Sequence, residues 1–233
     1  MNDLLAQIAL AAVPAVAAIT LHEAAHAYAA FLLGDDTARR LGRVSVNPLR
    51  HVDPFGTLLL PALLGVGQLL TLGRIGFLFG WAKPVPVMAS RFRNPRAGMA
   101  WVAAAGPAAN FLLAWLGAVA MHGLDALPDG VALGAADMLT TFILVNLVLG
   151  LFNLLPIPPL DGGRIAVGLL PPGLALRLAR LERAGILIVL LVVFLLPRAL
   201  AEVGVRFDPV GQALDRLLPW SFNLVTRLAG LDG

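Results

Sequence analysis

The chain has 233 residues, of which 59% are hydrophobic and only 13% are charged, and its mean hydropathy is +0.85. These fractions lie far from those of soluble globular domains and indicate a membrane protein. The formal net charge of +3 comes from arginines in separate short loops, which is not the footprint of a nucleic-acid partner, and the absence of cysteine excludes disulfides and thiolate metal ligands.

Four apolar runs approach the roughly 20 residues that span a bilayer. In chain order they are 4–33, 97–122, 138–160 and 184–197. A fifth apolar segment, 55–80, is interrupted by glycine and proline, and we expect it to be re-entrant, dipping into the bilayer without crossing it. The sequence therefore predicts an all-α polytopic membrane protein with about four full transmembrane helices.

No polar linker divides the chain, so we expect one domain. Residues 1–200 would form its intramembrane part. Residues 201–233 interleave leucine, tryptophan and phenylalanine with sparse charges, which favours an interfacial amphipathic helix of the same domain over a frayed tail.

The first apolar run contains an HExxH pattern formed by His22, Glu23 and His26. On a helix the two histidines stand one turn apart, so both imidazoles can reach one metal ion. Glu23 projects beside them, where a carboxylate can accept a proton from a metal-activated water. Because ionisable groups inside lipid are costly, we interpret the trio as a metal site rather than as a chance pair of core histidines.

A catalytic zinc needs a third protein ligand and one open position. The best candidate is Asp161, which follows a proline-rich exit from the third apolar run and precedes two glycines. Irregular backbone at membrane depth is tolerated only where it is buried in protein or lines a wet cavity. The alternative is an ordinary proline–glycine helix exit at the membrane interface.

Together, "HEAAH" and "NLLPIPPLDGG" resemble the two signatures of the site-2 proteases, which are intramembrane zinc metalloproteases. The resemblance implies that His22, His26 and Asp161 bind one zinc ion per chain and that Glu23 is the catalytic base. It also implies a multi-pass protein of the cell membrane.

Two asparagines match further polar positions of that family. Asn153 belongs to the second signature, and Asn110 ends "GPAAN", which matches a GPxxN element. The resemblance makes both candidates for contacting the substrate backbone or the developing oxyanion, and hydrogen bonding between helices is the alternative for each. The pattern is similar to a compact subgroup without PDZ or CBS domains, since the loop at 123–137 is too short to hold one.

The distribution of lysine and arginine predicts the topology. Residues 34–54, 81–96 and 161–183 each hold four such residues, whereas 123–137 holds none. The positive-inside rule then places the first three segments in the cytoplasm and the fourth outside. We therefore expect the active site to lie within the membrane toward the cytoplasmic side.

Residues 42–47 and 82–89 have the period-two or β-branched character of short strands. We expect a small β element near the cytoplasmic face, which would take on the substrate as an added strand. A plain interfacial loop rich in proline is the alternative.

The predicted function is zinc-dependent hydrolysis of peptide bonds in transmembrane protein or peptide substrates. The expected partners are that substrate and the lipid bilayer, with no nucleic acid. The alternative is a polytopic metal-binding transporter without protease activity. Transporters usually show repeat symmetry or several intramembrane ionisable groups, whereas this sequence has one such cluster.

Overall fold

The computed structural model describes the backbone of residues 2–72 and 80–231, and the side chains of 10, 12–70 and 80–231. The described chain is helical and contains no β-strand. The α-helices are α1 (Asn2–Leu32), α2 (Thr37–Arg40), α3 (Leu60–Leu72), α4 (Pro95–Ala120), α5 (Asp129–Asn153), α6 (Asp161–Leu169), α7 (Pro172–Arg180), α8 (Gly185–Val189), α9 (Leu196–Glu202) and α10 (Pro209–Leu228). Short 3₁₀ or π turns link several of them.

Within the described residues, four helical segments are long and apolar enough to cross a bilayer, which agrees with the number predicted. They are Ala12–Leu32, Pro95–Ala126, Asp129–Asn153 and Pro172–Glu202. The last segment joins α7, α8 and α9 and is longer than the apolar run at 184–197 from which it was predicted.

Helix α4 is central and packs against α1, α5, α6 and α10. Small side chains permit this packing: Ala18, Ala27 and Ala30 of α1 are fully buried, as are Ala114 and Ala118 of α4. Where helices approach this closely, polar side chains from several of them can meet at one point.

Helix α10 is amphipathic and packs along α4 and α5. Its Val225 belongs to an apolar cluster with Ala114 and Ile143. The indole N–H of Trp115 donates to the Leu228 carbonyl at 3.2 Å. The position of α10 relative to a membrane interface stays a prediction.

The predicted β element is wrong for the described chain, because residues 42–47 and 82–89 form no strand. The physical reason is that side chains, rather than a second strand, bind this backbone. The Arg43 guanidinium donates to the carbonyls of Lys83 and Pro84, and the Met88 N–H donates to the carboxylate of Asp35. Residues 82–88, which we call the extended segment, have no regular secondary structure and no ladder hydrogen bonds.

The segment at 55–80 begins with a π turn, Pro54–Leu59, which leads into α3. Its apolar helical part, Pro54–Leu70, is shorter than a membrane span, and 73–79 lie outside the described residues. A re-entrant path for this segment stays a prediction.

Candidate metal centre and active-site cavity

The HExxH residues lie on the face of α1 that packs against α4. His22 and His26 are 5% and 8% exposed, and their rings meet edge to face with centroids 4.6 Å apart. Both residues, and Glu23 beside them, line a cavity whose walls come from helices and from the loop residues near 48–52 and 80–87. One turn of helix has therefore placed both imidazoles at the same point, as their spacing predicts.

Asp161 reaches the histidines from the beginning of α6. Helix α5 ends at Asn153, and the prolines that follow cannot continue it. The chain then folds back so tightly that a Cβ at Gly162 would lie 2.2 Å from the Leu154 carbonyl oxygen, and one at Gly163 would lie 2.5 Å from the Pro158 nitrogen. The DGG sequence is thus required to place the aspartate, which is 7% exposed.

Three ligand atoms converge in a nearly equilateral triangle. The Nε2 atoms of His22 and His26 are 3.0 Å apart. Asp161 Oδ2 lies 3.1 Å from the first and 3.3 Å from the second. A tetrahedral zinc ion bound at about 2.0–2.1 Å holds its ligands about 3.3–3.4 Å apart. The triangle therefore has nearly the size of one face of such a site.

The hydrogen bonds on the far side of each ring agree with this interpretation. His26 Nδ1 donates to the Val102 carbonyl at 2.7 Å, and His22 Nδ1 bonds to Asn110 Oδ1 at 2.6 Å. In neutral imidazoles held this way, Nε2 presents a lone pair. Asp161 Oδ2 is buried without a hydrogen-bond partner. Three acceptors that face one another at 3 Å repel, and a bound cation would remove that repulsion, so these residues fit zinc.

Gly106 explains why the GPAAN element contacts this centre. A Cβ at this position would lie 2.5 Å from ring atoms of His26 and 2.6 Å from a ring atom of His22. The absent side chain is therefore the space into which the two imidazoles fit.

The two predicted asparagines have different surroundings. Asn110 is fully buried, and its amide bonds to His22 and to Asn146. This geometry favours hydrogen bonding between helices over contact with substrate. Asn153 does line the cavity. Its amide N–H₂ donates one hydrogen bond, to the Leu149 carbonyl at 3.0 Å, which leaves a second hydrogen and the carbonyl oxygen for other partners.

The cavity has a volume of about 590 Å³. Its walls are mainly apolar, with Ile19 of α1, Phe152 of α5 and Ile186 of α8 on the helical side. The extended segment contributes Val85 and Val87 on the opposite side. A mainly apolar chamber with a few polar groups at one point is typical of a binding site for an apolar ligand.

A buried pair, Arg43 and His51, lies at the edge of this chamber. The sequence suggested that the loop holding His51 could approach the site, with interface anchoring as the favoured interpretation, but Arg43 was not singled out. Arg43 donates to the Lys83 carbonyl at 2.5 Å and to the Pro84 carbonyl at 3.2 Å, and its guanidinium lies 3.5 Å from His51 Nδ1. Burial lowers the pKa of Arg43, and the negative charge of Glu23 opposes that shift. No sequence signal separates Arg43 from the other arginines of its loop.

Asp35 was also missed. It is fully buried and accepts hydrogen bonds from the Met88 N–H at 2.6 Å and the Thr37 N–H at 3.0 Å. Burial alone would raise the pKa of Asp35, but the hydrogen bonds from Thr37 and Met88, together with the nearby Arg91 charge, lower it below its usual value. Asp35 thus fixes the end of the extended segment to the end of α1.

A helical bundle that gathers HExxH and a distant aspartate at one cavity has the arrangement of a metallopeptidase. The chain belongs to peptidase family M50, the site-2 proteases, and is a zinc metalloprotease. The family model described as "Peptidase family M50" matches residues 117–196. No solved structure shows a significant match to the chain.

Two related proteins show that the similarity extends over most of the chain, beyond the part matched by the family model. "Putative zinc metalloprotease YwhC" of Bacillus subtilis (strain 168) is 43% identical over 187 residues, which are 78% of this chain and 78% of that protein. "Putative zinc metalloprotease Rip2" of Mycolicibacterium smegmatis is 33% identical over 185 residues, which are 78% of this chain and 64% of that protein.

Proposed function

We propose that this protein is an endopeptidase that hydrolyses peptide bonds of transmembrane substrates, using one zinc ion held by His22, His26 and Asp161. The observation that carries the proposal is the triangle of three buried acceptor atoms, 3.0–3.3 Å apart, on residues that line a mainly apolar cavity. A zinc ion held there would act as a Lewis acid, able to polarise the scissile carbonyl and to make a water molecule more acidic.

The remaining chemistry belongs to side chains that line the cavity. Glu23 is the general base, which accepts the proton of the attacking water and delivers it to the leaving amine. Asn153 offers an amide hydrogen to the oxyanion or to the substrate backbone. Asn110 is instead assigned to holding His22, because both ends of its amide are engaged.

The depth of the site supports cleavage inside the membrane. His22 lies ten residues before the end of the Ala12–Leu32 span, which corresponds to roughly 15 Å along a helix. The basic loops follow that end of the span. We infer that the site opens toward the cytoplasmic side of a multi-pass protein in the cell membrane.

The path of the segment at 55–80 is part of this proposal. The Trp81 N–H donates to the Gly56 carbonyl at 3.1 Å, and the Thr57 hydroxyl donates to the Trp81 carbonyl at 2.8 Å. The chain therefore returns to the point from which it left. This contact supports a segment that enters and leaves the bilayer on one side.

Residues 84–87, in the middle of the extended segment, could hold an unwound substrate. Val85 and Val87 line the cavity, and their N–H groups make no backbone hydrogen bond within the described chain. Pro84 and Pro86 have no N–H group. We propose that a substrate strand pairs with this single segment, without the small sheet that the sequence suggested.

The test compares wild-type protein with Glu23→Gln in liposomes that contain a library of apolar transmembrane peptides. We expect cleavage inside the apolar segments by the wild type, none by Glu23→Gln, and wild-type cleavage by Glu202→Gln, a matched exposed control. Zinc transport across the liposome membrane by both wild type and Glu23→Gln, without peptide products, would favour the transporter instead.

A further inference from the structure

A chain of three hydrogen bonds, the first two of them buried, extends from the metal centre into α5. Asn110 Oδ1 bonds to His22 Nδ1 at 2.6 Å. Asn110 Nδ2 donates to Asn146 Oδ1 at 2.9 Å, and Asn146 Nδ2 donates to the Phe142 carbonyl at 2.9 Å. The chain thus links α1, α4 and α5. Asn146 was not singled out from the sequence and contacts none of the three candidate ligands directly.

The hydrogen bonds have only one consistent direction. The Phe142 carbonyl can only accept, so Asn146 presents its nitrogen to that oxygen and its own oxygen to Asn110. Asn110 must then donate to Asn146, and its second amide hydrogen points toward the Ala18 carbonyl at 3.4 Å. Asn110 consequently turns its oxygen toward His22, whose Nδ1 must carry the proton. The lone pair of that ring is therefore on Nε2, the atom facing Asp161.

Because the two asparagines are buried, the direction of their hydrogen bonds determines how Asn110 meets His22. Asn110 and Asn146 are both 0% exposed, and Asn146 lies on the same buried face of α5 as Ile143, Leu147 and Gly150. Neither amide is exposed to bulk solvent that could compensate a wrong orientation. If Asn146 were apolar, only the long 3.4 Å contact with the Ala18 carbonyl would oppose rotation of the Asn110 amide. The rotated amide would present its N–H₂ group to His22 and favour the tautomer with the proton on Nε2. That tautomer has no lone pair on Nε2, the atom that faces Asp161, and so cannot bind a metal ion there.

We propose that Asn146 is a positioning residue for the metal centre, which fixes the amide of Asn110 and through it the tautomer and orientation of His22. This inference rests on the proposed role of His22 as a ligand. It assigns to a side chain in α5 a function beyond joining two helices.

The test uses Co²⁺ as the probe, bound to metal-free full-length protein in detergent. Its dissociation constant and its visible absorption spectrum are measured in wild type, Asn146→Leu, Asn110→Leu and the double variant. Loss of a group that orients a ligand typically weakens metal binding 10- to 100-fold. We expect each single variant to fall in that range, with altered cobalt absorption. The double variant should bind no more weakly than Asn110→Leu, because Asn146 acts through Asn110.

Two further variants separate positioning from packing. Asn146→Asp, kept neutral by its burial, presents an acceptor to Asn110 and a hydroxyl donor to the Phe142 carbonyl, and should retain affinity within a few-fold. Thr141→Val removes another α5 side chain that hydrogen-bonds within its own helix, to the Asp137 carbonyl, and should bind Co²⁺ as the wild type does. Wild-type Co²⁺ affinity in a folded Asn146→Leu protein, or additive losses in the double variant, would overturn the proposal.

The same experiment distinguishes an error in the metal-site assignment from an error in the role given to Asn146. If His22→Ala binds Co²⁺ as tightly as the wild type, the metal-site assignment itself is wrong. If His22→Ala loses the metal while Asn146→Leu keeps it, only the role given to Asn146 is wrong. Far-UV circular dichroism of each variant verifies that the helices are intact.

Discussion

The metal centre and the loop layer beside it are built in opposite ways. At the metal centre, a few polar side chains on helices hold one another, and the helical backbone is already satisfied by its own hydrogen bonds. In the loop layer, 35–53 and 80–91, buried polar side chains hold irregular backbone. A polar group inside a membrane helix is costly and therefore conspicuous, whereas in a polar loop the important side chains are not distinguishable from solvated ones.

The largest effect should come from filling the space at Gly106. In Gly106→Ala the new methyl would overlap the rings of His22 and His26, so we expect metal affinity to fall by at least about 100-fold and cleavage to be lost. Gly134→Ala is the matched control, because a Cβ there meets nothing within 4 Å. Competition with a calibrated chelator measures both. Wild-type affinity in Gly106→Ala would mean that the imidazoles do not occupy this space.

A change at Arg43 should impair the loop layer without impairing the metal centre. Arg43→Gln removes the charge that binds two backbone carbonyls of the extended segment, so we expect cleavage to fall by about 10- to 100-fold while metal affinity stays within two-fold. Arg93→Gln changes an exposed arginine and should cleave normally. A parallel loss of metal in Arg43→Gln would show that the loop layer and the metal centre are one unit.

A smaller change, Val85→Pro, removes one backbone N–H from the cavity wall. If a substrate strand pairs there, we expect cleavage to fall by about 10-fold with normal metal content. Val85→Ala keeps the N–H and should cleave at close to the wild-type rate. Equal rates for folded Val85→Pro and Val85→Ala would exclude this segment as the template for the substrate.

The smallest perturbation tests the path of the chain. The protein has no native cysteine, so single cysteines can be labelled without background. Ser45→Cys and Ser90→Cys should react with an impermeant reagent from the cytoplasmic side only, and Ala126→Cys from the other side only. If positions 45 and 90 were labelled from opposite sides, the segment between them would have to cross the membrane.

The difference between the metal centre and the loop layer explains which features the sequence could predict. The number of apolar spans and the meeting of HExxH with Asp161 could be predicted, because spacing on a helix and the high energy of polar groups in lipid limit the alternatives. Asn146 is also a polar residue inside an apolar run, so the same argument could have identified it, but it was not singled out. The β element was predicted wrongly, since period-two character at 42–47 and 82–89 does not show that Arg43 and Asp35 would take the backbone groups that a sheet needs.

Metal content of purified variants tests the central claim most directly. Elemental analysis should give about one zinc per chain for the wild type and for inactive Glu23→Gln, because Glu23 acts on the water rather than on the metal. It should give almost none for His22→Ala, His26→Ala and Asp161→Ala, each of which removes one corner of the triangle. Full zinc occupancy in Asp161→Ala would contradict the assignment of the third ligand and, with it, the joining of the two sequence motifs in one catalytic site.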